Sequence, residues 1–198
     1  MPRKKRDATM SVVIDAARTY DPDPKHNETV TDLALTLFDS LRTLHGYGRS
    51  ERRLLEIASR LHDIGWSRVV SGKHHKMSGR MILDLGIPGL DEEDRLVVAL
   101  IARYHTKALP DTSRHRRFGS LRSDRRELVE WLAGMLRVAD GLDCRHAKAV
   151  KQVACEISGK VITIRLQVVG GCRAEVEEAG RKDALLVRKA ARKIQYQC

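Results

Sequence analysis

Aromatic residues are scarce: Phe, Trp and Tyr make up 4% of the 198 residues. Leu, Val, Ile and Ala therefore carry most of the 42% hydrophobic share, which favours helix packing over an aromatic-rich sheet. No apolar run approaches the roughly 18 to 20 residues that a membrane-crossing helix needs. The opening Met1-Pro2-Arg3-Lys4-Lys5-Arg6 is not followed by a signal-peptide core. These absences point to the cytoplasm and argue against a membrane partner. Cys144, Cys155, Cys172 and Cys198 lie far apart with no C-x-x-C spacing, so neither a zinc ribbon nor a disulfide framework is indicated, and reduced thiols are expected. Internal repeats and low-complexity segments are also missing.

Charge, by contrast, is abundant and uneven. Of the net +11, residues 1–6 contribute +4, residues 114–126 contribute +5 (six Arg less Asp124), and residues 181–193 contribute +5 (six basic residues less Asp183). The remainder is net negative. Such a field concentrates anions, so phosphate-rich ligands, nucleic acid and acidic partners all fit it. Solvated helix faces and a floppy arm fit it too. Nucleic acid is the weakest of these partners, because Phe118 is the lone stacking aromatic in the basic stretches and no recognised motif accompanies it.

A chain of this length buries one main core, with room for a small appended unit. Residues 1–10 read as a disordered basic arm and Ser11 to Arg18 as a short helix before the Asp21-Pro22-Asp23-Pro24 breaker. Val30, Leu33, Ala34, Leu37, Phe38 and Leu41 then recur at helical steps. After the His45-Gly46-Tyr47-Gly48 turn, a helix runs through Leu54, Leu55, Ile57, Ala58 and Leu61 into His62-Asp63 and is expected to stop at Gly65. The segment to Lys76, rich in Ser, Gly, Lys and His, reads as a polar loop outside the core. Helices follow over Ser78 to Leu85, from Glu92 to Tyr104 behind the cap Asp91, and from Asp124 to about Asp140, with a basic loop from Pro110 to Arg122. Beyond Val150 the period becomes that of strands: Val153 to Ile157, a Ser158-Gly159-Lys160 turn, and Val161 to Leu166 form a hairpin. Glu175 to Arg192 returns to helix before a short strand at Ile194-Gln195-Tyr196. The expected units are an arm and short helix (1–20), a helical domain (21–150) and a small hairpin and helix subdomain (151–198).

Chemistry concentrates on histidines and carboxylates. His62 and Asp63 are adjacent at the end of an apolar helix, where positions are separated by about 100° of rotation, so imidazole and carboxylate can converge on one ion. His26 begins an earlier helical run, where it serves equally well as an exposed cap-region residue. His74 and His75 follow the motif, His105 ends Ala99 to His105, and Asp140 follows a stretch so apolar that a metal or an arginine must answer its charge. Mixed nitrogen and carboxylate ligands suit Mn, Fe, Co, Zn or Mg rather than a thiolate site. Arg103, His105 and Lys107 form a compact cationic group. It suits a phosphoryl oxygen, and it equally suits the dipole of a helix C-terminus.

Four motifs occur in order: Leu61-His62-Asp63-Ile64-Gly65, His74-His75-Lys76-Met77-Ser78, Ala102 to Pro110 with its Arg103-Tyr104-His105-Thr106-Lys107 centre, and Leu136-Arg137-Val138-Ala139-Asp140-Gly141-Leu142-Asp143. With them, residues from about His26 to Tyr196 resemble the HD metal-dependent phosphohydrolase superfamily. The nearer resemblance is to the C-terminal HD domain of the exopolyphosphatase and guanosine pentaphosphate phosphohydrolase family. It implies a mainly α HD-type bundle with a small C-terminal β-hairpin and helix, an α+β appendage. It also implies a metal set of His26, His62, Asp63 and Asp140, with His75 and His105 as additional histidines and His74 as a rival for His75. Met77 stands where the family often has a third histidine. Lys182 matches a usual lysine of the last helix, while Ala190 and Ala191 replace the Phe and Gly that tend to follow, a departure expected to concern packing.

In that family polyphosphate cleavage belongs to N-terminal actin-like domains with glycine-rich phosphate loops, and this sequence has no such loop. Exopolyphosphatase activity by that route is therefore not expected. The expected activity is hydrolysis of a phosphate ester or anhydride, nucleotide-like or polyphosphate-like, by a metal-activated water. Asp63, His105, Arg103 and Lys107 would act at the reacting phosphate. The competing expectation is a non-catalytic or regulatory module that binds polyphosphate, nucleotide or a protein partner through its basic surface. A homodimer is left open.

Overall fold

Pro24 opens a helix where it has no N–H to lose, and the Asp23 carboxylate accepts the backbone N–H of His26 at 3.1 Å. This cap fixes His26 in the first turn, where it is buried rather than exposed. The computed structural model describes residues 7–70 and 72–198. Among them run α1 (Ala8–Tyr20), α2 (Pro24–Ser40), the short α3 (Arg42–His45), α4 (Arg49–Leu61), a 3-10 turn (Ile64–Arg68), α5 (His74–Asp84), α6 (Glu92–Arg103), the short α7 (Arg116–Gly119) and α8 (Ser123–Gly141). Then come β1 (Val150–Ser158), β2 (Val161–Val168), α9 (Arg173–Lys182), α10 (Ala184–Ala190) and β3 (Lys193–Gln197). The protein is thus mainly α with a small sheet. No described helix is long and apolar enough to cross a membrane.

The apolar stripes expected for α2, α4 and α8 are all buried, and together with Val97, Val98 and Ile101 of α6 they form the core. Helix α8 is the axis: from Leu128 to Gly141 nearly every residue is buried, and it packs against α2, α6, α9 and α10. β1 and β2 pair antiparallel, and β3 adds parallel to β2 with Ile162 opposite Ile194 and Ile164 opposite Tyr196. Ile162, Ile164 and Leu166 alternate inward along β2, and β1 rests on α2.

Several sequence expectations need correction. The basic arm lies, for residues 1–6, outside the described residues, but residues 8–10 are already helical because the Asp7 carboxylate accepts the N–H groups of Thr9 and Met10. Gly65 does not end α4; the helix stops at Leu61 and Gly65 belongs to the 3-10 turn. Helix α5 starts at His74, so His74 and His75 lie in a buried first turn instead of a polar loop. Gly65 makes this close approach feasible, since a Cβ there would stand 2.2 Å from the His74 carbonyl oxygen and 2.5 Å from the Ser78 nitrogen. The last helix is broken at Asp183. Cys172 and Cys198 are joined by a disulfide, while Cys144 and Cys155 are free; spacing alone gave no sign of it, because β3 brings the chain end back beside the start of α9.

Candidate metal centre

Helix α4 delivers His62 and Asp63, and the C-terminal end of α6 delivers His105. The His62 Nδ1–H donates to the Ser59 carbonyl and the His105 Nδ1–H to the Ala102 carbonyl, each at 2.6 Å. A carbonyl only accepts, so each ring presents its Nε2 lone pair inward, the tautomer that metal ligation requires. His74, from the first turn of α5, brings its Nε2 to 3.1 Å from that of His105 and 3.3 Å from Asp63 Oδ1. His105 Nε2 is 3.5 Å from the same oxygen. Neither Asp63 Oδ1 nor His62 Nε2 has a hydrogen-bond partner, although both are buried. An unmet buried polar atom costs about 1–3 kcal/mol, so two of them facing one space point to a missing partner.

Beside this group lies a second one. His26 Nε2 is 3.4 Å from Asp140 Oδ1, while its Nδ1 is 2.9 Å from Asp143 Oδ2, the carboxylate that sets the ring's orientation. Asp140 also accepts a 2.6 Å hydrogen bond from Lys182 Nζ. Gly141 allows that contact: a Cβ there would meet the Ala179 Cα at 2.7 Å, so the backbones of α8 and α9 touch and Lys182 reaches the carboxylate. The charge at Asp140 is answered by lysine and histidine rather than by the arginine that the sequence also allowed. Arg137, one turn earlier, instead donates to the carbonyls of Tyr104 and Lys182, both at 3.0 Å, and ties α8 to the segments that carry His105 and Lys182.

Two sets of three ligand atoms therefore stand next to each other, His26/His62/Asp140 and Asp63/His74/His105, with the atoms of each set within 4.8 Å of one another. Two imidazole nitrogens and one carboxylate in each set suit a borderline divalent cation, and the two orphaned atoms belong one to each set. The donor chemistry fits a metal.

Five of the six ligand residues, all but the fully buried His62, line a cavity of about 510 Å³. Trp66 stacks on His74 at 4.0 Å and His146 stacks on His26 at 3.8 Å, with Lys182 and Thr106 completing the wall. Electrostatics separate the two sets. Burial disfavours the charged form of His26, but Asp140 and Asp143 outweigh it and raise its pKa to about 10. Burial lowers His105 to about 3 and His75 to about 4, so both are neutral bases. Burial also opposes the charge of Asp140, yet His26 and Lys182 hold its carboxyl well below the usual range. Asp63 is likewise held low by the imidazoles around it.

Of the residues singled out from sequence, the fold gathers His26, His62, Asp63, His74, His105 and Asp140. His75 is buried one turn position away, its Nδ1 unpartnered, and belongs to neither set. Arg103 and Lys107 do not line this cavity. Arg103 turns toward the Tyr104 ring and Lys107 is exposed in a left-handed turn after the helix end, so Lys182 takes the place meant for them. Met77 is half-buried away from the cavity. Asp143 and His146 escaped the sequence reading; the three-residue step from Asp140 to Asp143 at a helix end was the available signal for the first. His146, in a loop at φ 55°, is held by a 2.8 Å contact with Asp23. A family model described as Ppx/GppA phosphatase, domain III, matches residues 6–177. No curated protein matches the chain.

Proposed function

Since the chain belongs to the Ppx/GppA phosphatase family through its domain III, we propose that it is a metal-dependent phosphohydrolase of the HD type, cleaving a phosphate ester or anhydride. The observation that carries this reading is the pair of three-ligand sets on one open cavity, with His62 Nε2 and Asp63 Oδ1 buried and unpartnered. A divalent cation, when bound, supplies Lewis acidity toward a phosphoryl oxygen and lowers the pKa of water.

The chain's own groups do the positioning. Lys182, tethered to Asp140, projects its charge into the cavity, where it offsets charge on a non-bridging oxygen. Asp143 holds the His26 ring, and the carbonyls of Ser59 and Ala102 hold those of His62 and His105, so the nitrogens stay aimed without reorganising. Trp66 and His146 offer flat faces at the rim, which suits a substrate with a ring attached to its phosphate, while Asp21 and Asp23 discourage a long polyanion from lying across that side. The test is turnover of a panel of phosphate esters and nucleotides with Mn or Co, comparing wild type with His62→Ala and Asp63→Ala proteins whose folding is checked by circular dichroism. Activity should fall at least a hundredfold in both; unchanged turnover would end the proposal.

One contact favours a second reading, a non-catalytic module that holds polyphosphate, nucleotide or a protein partner on its basic surface. Lys182 neutralises Asp140 at 2.6 Å with no ion needed. Metal analysis separates the two: less than a tenth of an equivalent of transition metal after incubation with Mn favours the module.

A further inference from the structure

Arg103 faces a second cavity, of about 220 Å³, that shares no lining residue with the metal centre. Its floor is apolar, built from Leu83 of α5, Leu96 and Leu100 of α6, and Phe118 of α7. Its rim is cationic: Lys76, Arg80, Arg103, Arg116 and Arg117 all line it, and none of these five forms an ion pair among the described residues. Arg114 alone leans on a carboxylate, that of Asp111 at 3.6 Å, and no acidic side chain lines the cavity.

Two further atoms mark the cavity as built for an occupant. Tyr104 is 1% exposed, yet its hydroxyl has no hydrogen-bond partner, and the His115 Nδ1 is buried and unpartnered as well. Both side chains line the cavity. The Tyr104 ring is clasped by His115 at 5.4 Å and Phe118 at 5.8 Å, with the Arg103 guanidinium 5.8 Å from its centre. Free guanidinium groups select phosphate by paired hydrogen bonds. An apolar floor beneath them selects a ligand with a flat or greasy body, since inorganic phosphate alone would leave that floor wet.

We propose that this cavity is a second ligand site, distinct from the metal centre, that takes a ring-bearing organic polyphosphate of the nucleotide class. The ring lies on Leu83, Leu96, Leu100 and Phe118, the Tyr104 hydroxyl and His115 Nδ1 meet its polar edge, and the phosphates meet the arginines of the rim. The site sits where a bound ligand would be felt by the metal centre, because Tyr104 is followed directly by His105 and its carbonyl is held by Arg137.

The test is calorimetric titration of the full chain with ATP and with inorganic triphosphate, both in EDTA so that a metal contributes nothing. Saturable ATP binding is expected, at least tenfold tighter than triphosphate. Arg116→Ala combined with Arg117→Ala, both exposed positions, should weaken ATP at least tenfold, and Tyr104→Phe, which keeps the ring, at least threefold. Asp63→Ala should leave ATP affinity within twofold. Because the readout is binding without metal, these results stand apart from any failure of the hydrolytic reading. Equal affinity for triphosphate and ATP would reduce the site to surface charge. Loss of ATP binding in Asp63→Ala with none in Tyr104→Phe would place the ligand elsewhere, and no saturable binding would overturn the proposal.

Discussion

Replacing Gly65 by alanine tests whether the metal centre depends on how closely two backbone segments approach. A Cβ at this position would lie 2.2 Å from the His74 oxygen, 2.5 Å from the Ser78 nitrogen and 2.8 Å from the Ser78 Oγ. Ordinary carbon contacts sit at about 3.5–4.0 Å, so the 3-10 turn and α5 must part by roughly 1 Å or more. Overpacking of this kind costs about 1–3 kcal/mol, and here two of the three neighbours are backbone and have no rotamer to yield. The 2.9 Å bond from the Gly65 N–H to Ser78 Oγ goes too, adding about 1 kcal/mol. For a chain of this size each kcal/mol shifts Tm by about 2–4 °C, which gives a drop of about 4–16 °C. The same parting draws Asp63 Oδ1 away from His74 Nε2, now 3.3 Å apart, so Mn affinity should fall at least tenfold. Thermal melts and Mn titration of Gly65→Ala check both. A Tm within about 2 °C of wild type, with unchanged Mn affinity, would mean that the close approach does not position the ligands.

Other outcomes follow from single contacts. Lys182→Met leaves Asp140 with His26 as its remaining charged contact and should destabilise the metal-free protein, toward the lower end of the about 3–5 kcal/mol seen for broken buried pairs because both groups keep some solvent access. Saturating Mn should narrow that deficit, and an equal deficit in urea melts with and without Mn would show that the lysine and the ion do not share the carboxylate. Ala191→Gly should raise stability by about 0.5–1 kcal/mol, since Ala191 closes α10 at φ 50°; a lower Tm would refute the strain. Acid should weaken the metal-free protein. His75 and His105 stay neutral in the fold down to about 4 and about 3, whereas the unfolded chain takes up their protons below about 6.5, so stability falls as pH drops through that window. His26, raised to about 10, acts oppositely, contributing fully below about 6.5 and losing its contribution as pH rises toward 10. Urea midpoints should therefore peak near neutrality, and a higher midpoint at pH 5 than at pH 6.5 would contradict the burial of the two histidines.

Local rules made much of the molecule legible. The apolar repeats of α2, α4 and α8, the cap Asp91, and the switch to alternation beyond Val150 each concern residues within a turn or two of one another. Their physical causes, helical period, capping and strand alternation, are written at that range. His62-Asp63 and Asp140 stood out for the same reason, as polar groups attached to apolar helices. His74 and His75 stood out as candidate ligands but not as buried helical residues, because a polar composition hides a buried first turn when the burying partner, Gly65, lies nine positions earlier. The Ala191 departure likewise proved to be one of backbone conformation rather than packing.

By itself, then, the sequence determined which segments are helix or strand, which side chains face the core, and which residue types are fit to hold a cation. The tertiary structure decided which of them meet. It put Lys182, not Arg103 or Lys107, at the cavity of the metal centre, turned Arg103 to a different cavity, and recruited Asp143 to hold His26. Those choices depend on backbone approaches between α8 and α9 and between the 3-10 turn and α5, set by the missing Cβ atoms of Gly141 and Gly65. Such contacts join residues tens of positions apart, and no periodicity along the chain encodes them.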